Sequence, residues 1–89
     1  MSRWARRVDD NHREVVGMLE ALGCRVRSLA SVGQGMPDLL VLCDGVIRLV
    51  EVKDGRKSKS RRALTPAEQA FGSRWPVSLV ECREDCVAL

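Results

Sequence analysis

The segment that decides the fold runs from Gly35 to Lys53 and reads Gly-Met-Pro-Asp-Leu-Leu-Val-Leu-Cys-Asp-Gly-Val-Ile-Arg-Leu-Val-Glu-Val-Lys. It contains two apolar runs, 38–43 and 46–53, which are joined by the pair Asp44-Gly45. An Asp-Gly pair between apolar runs is typical of a β-hairpin, because a type I′ turn needs positive φ at both central residues. The segment therefore predicts two antiparallel strands with a two-residue turn.

This register places two carboxylates at one position of the sheet, because Asp38 lies directly opposite Glu51. Opposed side chains lie about 4.5–5.5 Å apart at Cβ, and like charges there destabilise a sheet unless a cation lies between them. Lys53 lies two residues beyond Glu51 and therefore on the same face. Because Mg²⁺ takes oxygen ligands from carboxylates, phosphate and water, the pattern predicts a metal site suited to phosphate chemistry.

The segments around the hairpin predict a helix and a strand before it. Apolar residues recur at helical spacing from Asp10 to Gly23, with Asp9 or Asp10 as the N-cap and the glycine just beyond the last turn. Residues 24–30 alternate in polarity and predict a strand with one wet, basic side, on which Arg27 lies.

A loop, a second helix and a last strand are predicted after the hairpin. Residues 54–63 show no periodicity and form a basic loop. Thr65 as N-cap and Glu68 at the third helical position complete a capping box, which marks the start of the second helix. Residues 77–82 predict the last strand, and residues 84–89 predict a short terminal helix or the end of that strand.

Both faces of the predicted hairpin are apolar. Its two sides carry Leu40, Leu42, Ile47 and Leu49 on one face and Leu39, Val41, Val46 and Val50 on the other. Strands that are buried on both faces are typical of layered α/β proteins. We therefore expect an α/β fold in which the hairpin is covered on both sides.

Composition and length indicate one globular domain. The chain has 89 residues, of which 45% are hydrophobic and 30% charged, and we expect residues 1–89 to form a single domain. No signal peptide or membrane-spanning apolar segment is evident, so we expect a cytoplasmic protein with no membrane partner. The absence of a Walker A motif argues against a nucleotide cofactor.

The four cysteines do not predict a metal site. Cys24, Cys43, Cys82 and Cys86 lack Cys-x-x-Cys spacing, and the single His12 lies far from them in the sequence. We therefore expect small, largely buried side chains with reduced thiols and no zinc.

The net charge is only +3, but the positive residues are clustered. One cluster is Arg3, Arg6 and Arg7, and the other, in the predicted loop, is Arg56, Lys57, Lys59, Arg61 and Arg62. Such clusters suit a polyanion, although each could equally be a solvated surface. We take the loop cluster and Arg27 as candidate nucleic-acid contacts.

Two motifs in the hairpin resemble the signature of the PD-(D/E)xK nuclease superfamily: Gly35-x-Pro37-Asp38 and Glu51-Val52-Lys53. With Glu14 in the first helix and Leu64-Thr65-x-x-x-Gln69 at the start of the second, nearly the whole chain resembles the stand-alone minimal VRR-NUC nucleases of bacteria and viruses. The resemblance implies the core order αβββαβ, with a mixed sheet flanked by helices, and a location in a bacterial cell or a phage-infected host.

The resemblance also implies the site residues. The implied catalytic residues are Glu14, Asp38, Glu51, Lys53 and Gln69. An Mg²⁺ or Mn²⁺ ion would be held by Glu14, Asp38, Glu51 and the carbonyl of Val52. Lys53 would position or deprotonate the attacking water, or stabilise the transition state. Whether Glu68 or Gln69 points into the site is left open by the sequence.

The implied substrate is DNA. Stand-alone members of the family resemble Holliday-junction resolvases in being homodimers that cut branched DNA, and a small core also favours a dimer. The apolar residues with the least evident place in a monomer are Phe71, Trp75, Val77 and Leu79, which predicts an interface near the second helix and last strand. The alternative is a non-catalytic DNA-binding module with the same fold.

Overall fold

The computed structural model describes residues 10–89. The cluster of Arg3, Arg6 and Arg7 and the side chain of Arg61 lie outside the described part, so the predictions made for them stay predictions. The elements in chain order are α1 (Asp10–Ala21), β1 (Arg25–Ser28), β2 (Leu39–Cys43), β3 (Val46–Val52), α2 (Pro66–Gly72), β4 (Val77–Val80) and α3 (Arg83–Ala88). None of the helices in this part of the chain is long and apolar enough to cross a membrane.

The four strands form one mixed sheet in the order β1-β2-β3-β4. The predicted hairpin and its register are confirmed, with Leu39 paired to Val50 and Cys43 paired to Val46. Its turn has positive φ at both central residues, 51° at Asp44 and 78° at Gly45. Strands β1–β3 are antiparallel, whereas β4 runs parallel to β3. A parallel partner requires a crossover connection, which here contains α2.

One face of the sheet carries the core. Val15 and Leu19 are four residues apart on α1, hence on one side of the helix, and both are fully buried. They belong to one cluster with the buried residues Cys24, Leu39, Val41, Val50, Val80 and Cys86. Cys86 comes from α3, so α1 and α3 cover the same face of the sheet.

The prediction that both faces of the hairpin are buried is wrong for the described residues. On the second face Leu42 is 38% exposed and Ile47 is 67% exposed, while Leu40 and Leu49 are half-buried. The helix that lies on this side, α2, has only seven residues, too few to cover three strands. Hydrophobic alternation shows that a face is apolar but not what covers it.

The expectation of four reduced thiols also differs from the structure, which joins Cys24 and Cys43 in a disulfide bond. Arg25 pairs with Leu42 in the β1–β2 ladder, so these two cysteines occupy the next paired position. Their Cα atoms are 4.5 Å apart, within the distance that a disulfide can bridge. The pairing depends on the register of β1 against β2, which residue spacing does not reveal.

Candidate active site

Two carboxylates meet where β2 begins and β3 ends. The Asp38 carboxylate accepts a hydrogen bond from the Val52 N–H at 2.9 Å, and it lies close enough to the carboxyl group of Glu51 to raise its pKa. Glu51 is only 4% exposed. The structure therefore brings Asp38 and Glu51 together as the hairpin register predicted.

Burial and like charge act together on Glu51. Desolvation is the largest cause, and the neighbouring carboxylates of Asp38 and Glu68 add to it, so that the pKa of Glu51 rises from 4.5 to about 8. A carboxyl group in this position holds a proton at neutral pH unless another cation replaces it.

The raised pKa of Glu51 predicts that the metal-free protein loses stability with rising pH. Because the folded chain binds this proton more tightly than the unfolded chain, its stabilisation is complete below pH 4.5 and is lost as pH rises toward 8. We expect the Tm without divalent metal to fall by about 5 °C or more between pH 5.5 and pH 8.5, given that 1 kcal/mol shifts the Tm of such a domain by roughly 4–8 °C.

Glu51→Gln should flatten this profile, because its amide carries no charge at either pH. Glu20→Gln, the same change at an exposed position of α1, is the matched control and should keep the wild-type slope. Calorimetric scans in chelator at several pH values make the measurement. An unchanged slope in Glu51→Gln would contradict the prediction.

Lys53 lies between two carboxylates. Its Nζ is 3.1 Å from Glu68 Oε1 and 3.6 Å from Glu51 Oε2, and its side chain is 16% exposed. Burial by itself lowers the pKa of Lys53, but the hydrogen bond and charge of Glu68, followed by those of Glu51, raise it above the ordinary value overall. Lys53 therefore presents a protonated ammonium group that Glu68 and Glu51 hold in place.

The backbone at Lys53 is held by Asn11, which the sequence motifs did not single out. The Asn11 amide donates to the Lys53 carbonyl oxygen at 2.7 Å, and the residue is 6% exposed. Asn11 precedes Val15 and Leu19 at intervals of four, so it lies on the buried stripe of α1. A polar residue at a position of the helix that the apolar spacing predicts to be buried was the sequence signal for Asn11.

The start of α2 decides between Glu68 and Gln69. The capping box is present, with the Glu68 N–H donating to Thr65 Oγ1 at 3.1 Å and the Thr65 N–H donating to Glu68 Oε1 at 2.9 Å. Glu68 points to Lys53, whereas the Gln69 amide donates to the Leu64 carbonyl at 3.4 Å. Burial alone would raise the pKa of Glu68, but the Thr65 N–H and then Lys53 lower it.

Glu51 and Glu68 open into a cavity of about 340 Å³ between α2 and the sheet. Its lining includes Glu51, Glu68 and Gln69, so Gln69 borders the site although its amide donates to the Leu64 carbonyl. Gly35 allows α2 to approach this closely. It has φ +79°, and a Cβ there would overlap the backbone carbonyl of Ala67 in α2. The packing of α2 against this position thus explains why the Gly-x-Pro-Asp motif begins with glycine.

Glu14 has a different partner from the other acidic residues. Its side chain is 52% exposed, and its Oε1 lies 3.6 Å from Arg56 Nη2. Arg56 is itself held by Asp54 through hydrogen bonds of 2.9 Å and 3.1 Å. The structure therefore links Glu14 to the basic loop rather than to the contacts of Asp38 and Glu51.

The basic loop contains residues with two kinds of surroundings. Arg62 donates to Glu81 Oε2 at 3.1 Å and to the Lys57 carbonyl at 2.9 Å, so it holds the loop on the end of β4. Lys57 and Lys59 are exposed, as is Arg27 on β1. These three are better placed to meet a polyanion than Arg62 is.

The donor set fits a divalent cation. Asp38 and Glu51 present adjacent carboxylate oxygens, the ligands that Mg²⁺ prefers, and within the hairpin only a proton or Lys53 offsets their charge. Among residues 10–89, no group of three or more His, Cys, Asp or Glu side chains is arranged to hold an ion. A bound metal would therefore rely on this pair together with backbone and non-protein oxygens.

Comparison with known proteins places the chain in a family. No protein-family model and no curated protein matches it. A solved structure described as a VRR_NUC domain is 34% identical and superposes with a TM-score of 0.55, and the match covers 86% of each chain. The mixed sheet with flanking helices is thus a nuclease-like α/β fold, which confirms the predicted fold class. The chain belongs to the VRR-NUC family, and this membership indicates a nuclease-type function.

Proposed function

We propose that this protein is a metal-dependent endonuclease that hydrolyses phosphodiester bonds in branched DNA such as Holliday junctions. The observation that carries the proposal is the adjacent pair of Asp38 and buried Glu51, with the ammonium of Lys53 3.6 Å from the Glu51 carboxyl group. A protein that only binds DNA gains nothing from two adjacent buried carboxyl groups, because any negative charge that they carry repels phosphate.

Asp38, Glu51 and the Val52 carbonyl would hold the cation. Bound there, Mg²⁺ or Mn²⁺ would neutralise charge on the scissile phosphate and activate water for attack. The hydrogen bond from the Val52 N–H, which holds the Asp38 carboxylate in place, supports this assignment. Glu14 would join the site only by exchanging Arg56 for the metal or its water shell.

Lys53 and Gln69 would act on the substrate. The Lys53 ammonium would lie against the phosphate oxygens and balance the charge that develops on them. The attacking water oxygen forms a bond to phosphorus while the bond from phosphorus to the 3′ oxygen breaks. A proton reaches the leaving oxygen, so the products are a 5′-phosphate and a 3′-hydroxyl. Gln69, at the cavity edge, would orient the DNA backbone.

A homodimer would bring two such sites to one junction. The open face of the sheet continues from Ile47 and Leu49 to Trp75 at the start of β4, since these residues border one shallow depression. Trp75 is 55% exposed and Leu79 is 45% exposed. A twofold interface buries the same patch on both copies, so a second copy of this chain would cover the face that the described residues leave open.

The proposed function is tested by incubating the protein with a four-way junction, a flap, a nicked duplex and a plain duplex, each with Mg²⁺, with Mn²⁺ and in chelator. Sedimentation of the same preparation gives the mass. We expect a dimer that cuts the junction and needs the metal. Binding without cleavage under every condition would favour the DNA-binding module instead. A monomer that nicks single sites would remove the dimer and the junction preference but keep the nuclease.

Exposed lysines of the basic loop should contribute to DNA affinity. Lys57→Gln with Lys59→Gln should reduce the slope of log affinity against log salt concentration by about 0.9 for each phosphate that the variant no longer neutralises. Fluorescence anisotropy over a salt series, in chelator, makes the measurement. Arg62→Gln is the contrasting variant. Removal of its bond to Glu81 should lower the Tm while the salt slope stays close to that of the wild type. An unchanged slope in the lysine variant would mean that the two lysines do not bind phosphate.

A further inference from the structure

We propose that Glu68 is a positioning residue for Lys53, through which the start of α2 sets the place of the ammonium in the site. This inference rests on the proposed function for its catalytic consequence. The sequence motifs give Glu68 only a capping role, and the family resemblance points to its neighbour Gln69.

The contacts of one oxygen atom carry the inference. Glu68 Oε1 accepts hydrogen bonds both from the Thr65 N–H at 2.9 Å and from Lys53 Nζ at 3.1 Å. The Glu68 N–H donates in turn to Thr65 Oγ1 at 3.1 Å. The capping box therefore holds this carboxylate in place independently of Lys53, and the ammonium meets an acceptor that is already oriented.

Lys53 needs such a partner because a lysine side chain is a flexible four-carbon stem with a rotatable donor group at its end. Its backbone is held on both sides, by the Asn11 amide at the carbonyl and by the Val80 carbonyl at the N–H, at 2.7 Å and 3.0 Å. Glu51 lies farther from Nζ, at 3.6 Å, than Glu68 does. Glu68 therefore makes the shorter contact with the end of the side chain.

Two other roles for Glu68 make different predictions. If it served only the helix, glutamine would replace it, because a capping box accepts Glu or Gln at this position. If it were a ligand of the metal, its removal would weaken metal binding. If it positions Lys53, its removal should affect the reaction only while Lys53 is present.

Cleavage kinetics separate these roles. Glu68→Gln should lower kcat by about tenfold to a hundredfold with KM unchanged, the size expected when a reacting group is misplaced by an ångström. In a Lys53→Met background the same change should leave the residual rate unaltered. Glu20→Gln, the same chemical change at an exposed position of α1, is the matched control and should leave kcat within about twofold of the wild type.

Unfolding measurements test the contact without any cleavage. Urea unfolding of the wild type, Lys53→Met, Glu68→Gln and the double variant should show a non-additivity of about threefold or more in the unfolding equilibrium constant. The rise in Tm caused by Mg²⁺ should persist in Glu68→Gln.

Three results would overturn the proposal: additive unfolding effects, disappearance of the Mg²⁺ response in Glu68→Gln, or an equal fall in cleavage with and without Lys53. If the wild type cleaves no DNA with either metal, the nuclease proposal fails by itself. The unfolding cycle then still decides whether Glu68 holds Lys53.

Discussion

Asp38→Asn is expected to abolish the rise in Tm that Mg²⁺ or Mn²⁺ causes and to lower DNA cleavage by about a thousandfold or more. A fall of this size is expected because a metal ion contributes several kcal/mol of charge stabilisation in the transition state. Each 1.36 kcal/mol corresponds to about a tenfold change in rate. Asparagine keeps the shape of the side chain and an oxygen that can accept from the Val52 N–H. The fold should therefore survive while the charge that attracts the cation is removed.

The measurement compares thermal scans with and without metal, followed by single-turnover cleavage of the junction. Asp44→Asn is the matched control, since it makes the same chemical change in the same hairpin, at a turn position where Asn-Gly is as suitable as Asp-Gly. That variant should keep both the metal response and the cleavage. Equal stabilisation of wild type and Asp38→Asn by Mg²⁺ would show that Asp38 and Glu51 do not share a cation.

Lys53→Met should lower cleavage about as much as Asp38→Asn does. Unlike Asp38→Asn, it should increase the rise in Tm that the metal causes. Removal of the ammonium takes away the charge proposed to face the phosphate, and we expect cleavage to fall by about a thousandfold. The same change leaves Glu51 and Glu68 without their cation, which lay 3.6 Å and 3.1 Å away. The metal-free Tm should therefore fall, and Mg²⁺ should raise it by more than it does in the wild type.

Thermal scans and single-turnover cleavage again give the result, with Arg83→Met as the control. Arg83 is exposed on α3, which packs on the opposite face of the sheet from the cavity, so its replacement should change neither quantity. Cleavage at the wild-type rate in Lys53→Met would assign the lysine a structural role only. A smaller Mg²⁺ response would indicate that Lys53 supports the metal site rather than competing with it.

Local chemistry made the hairpin and its acidic pair predictable. The Asp44-Gly45 turn has one favoured geometry, and a two-residue turn admits one register. Once the register is known, the alternation of side chains in a strand places Asp38, Glu51 and Lys53 on one face. The start of α2 was predictable for the same reason, since a capping box involves residues only three apart.

Contacts between distant elements were not predictable in this way. The choice of Glu68 over Gln69 depends on how α2 lies above the sheet, and Gly35 allows the helix to come close at Ala67. The anchoring of Lys53 by Asn11 depends on how α1 crosses the end of β3. A helical pattern shows which side chains share a face but not which atoms of another element that face will meet.

The sequence by itself therefore determined the order of the elements from α1 to β4, the register of β2 against β3 and the pair of carboxylates with its lysine. These follow from bonding between neighbours along the chain and across one short turn. The tertiary structure alone decided that Glu68 contacts Lys53 and that Glu14 and Arg62 pair outside the acidic cluster. It also decided that residues 10–89 leave one face of the sheet open. Those outcomes depend on where whole helices and loops come to rest. The buried side of α1, with Val15 and Leu19, fixes one of these helices on the sheet.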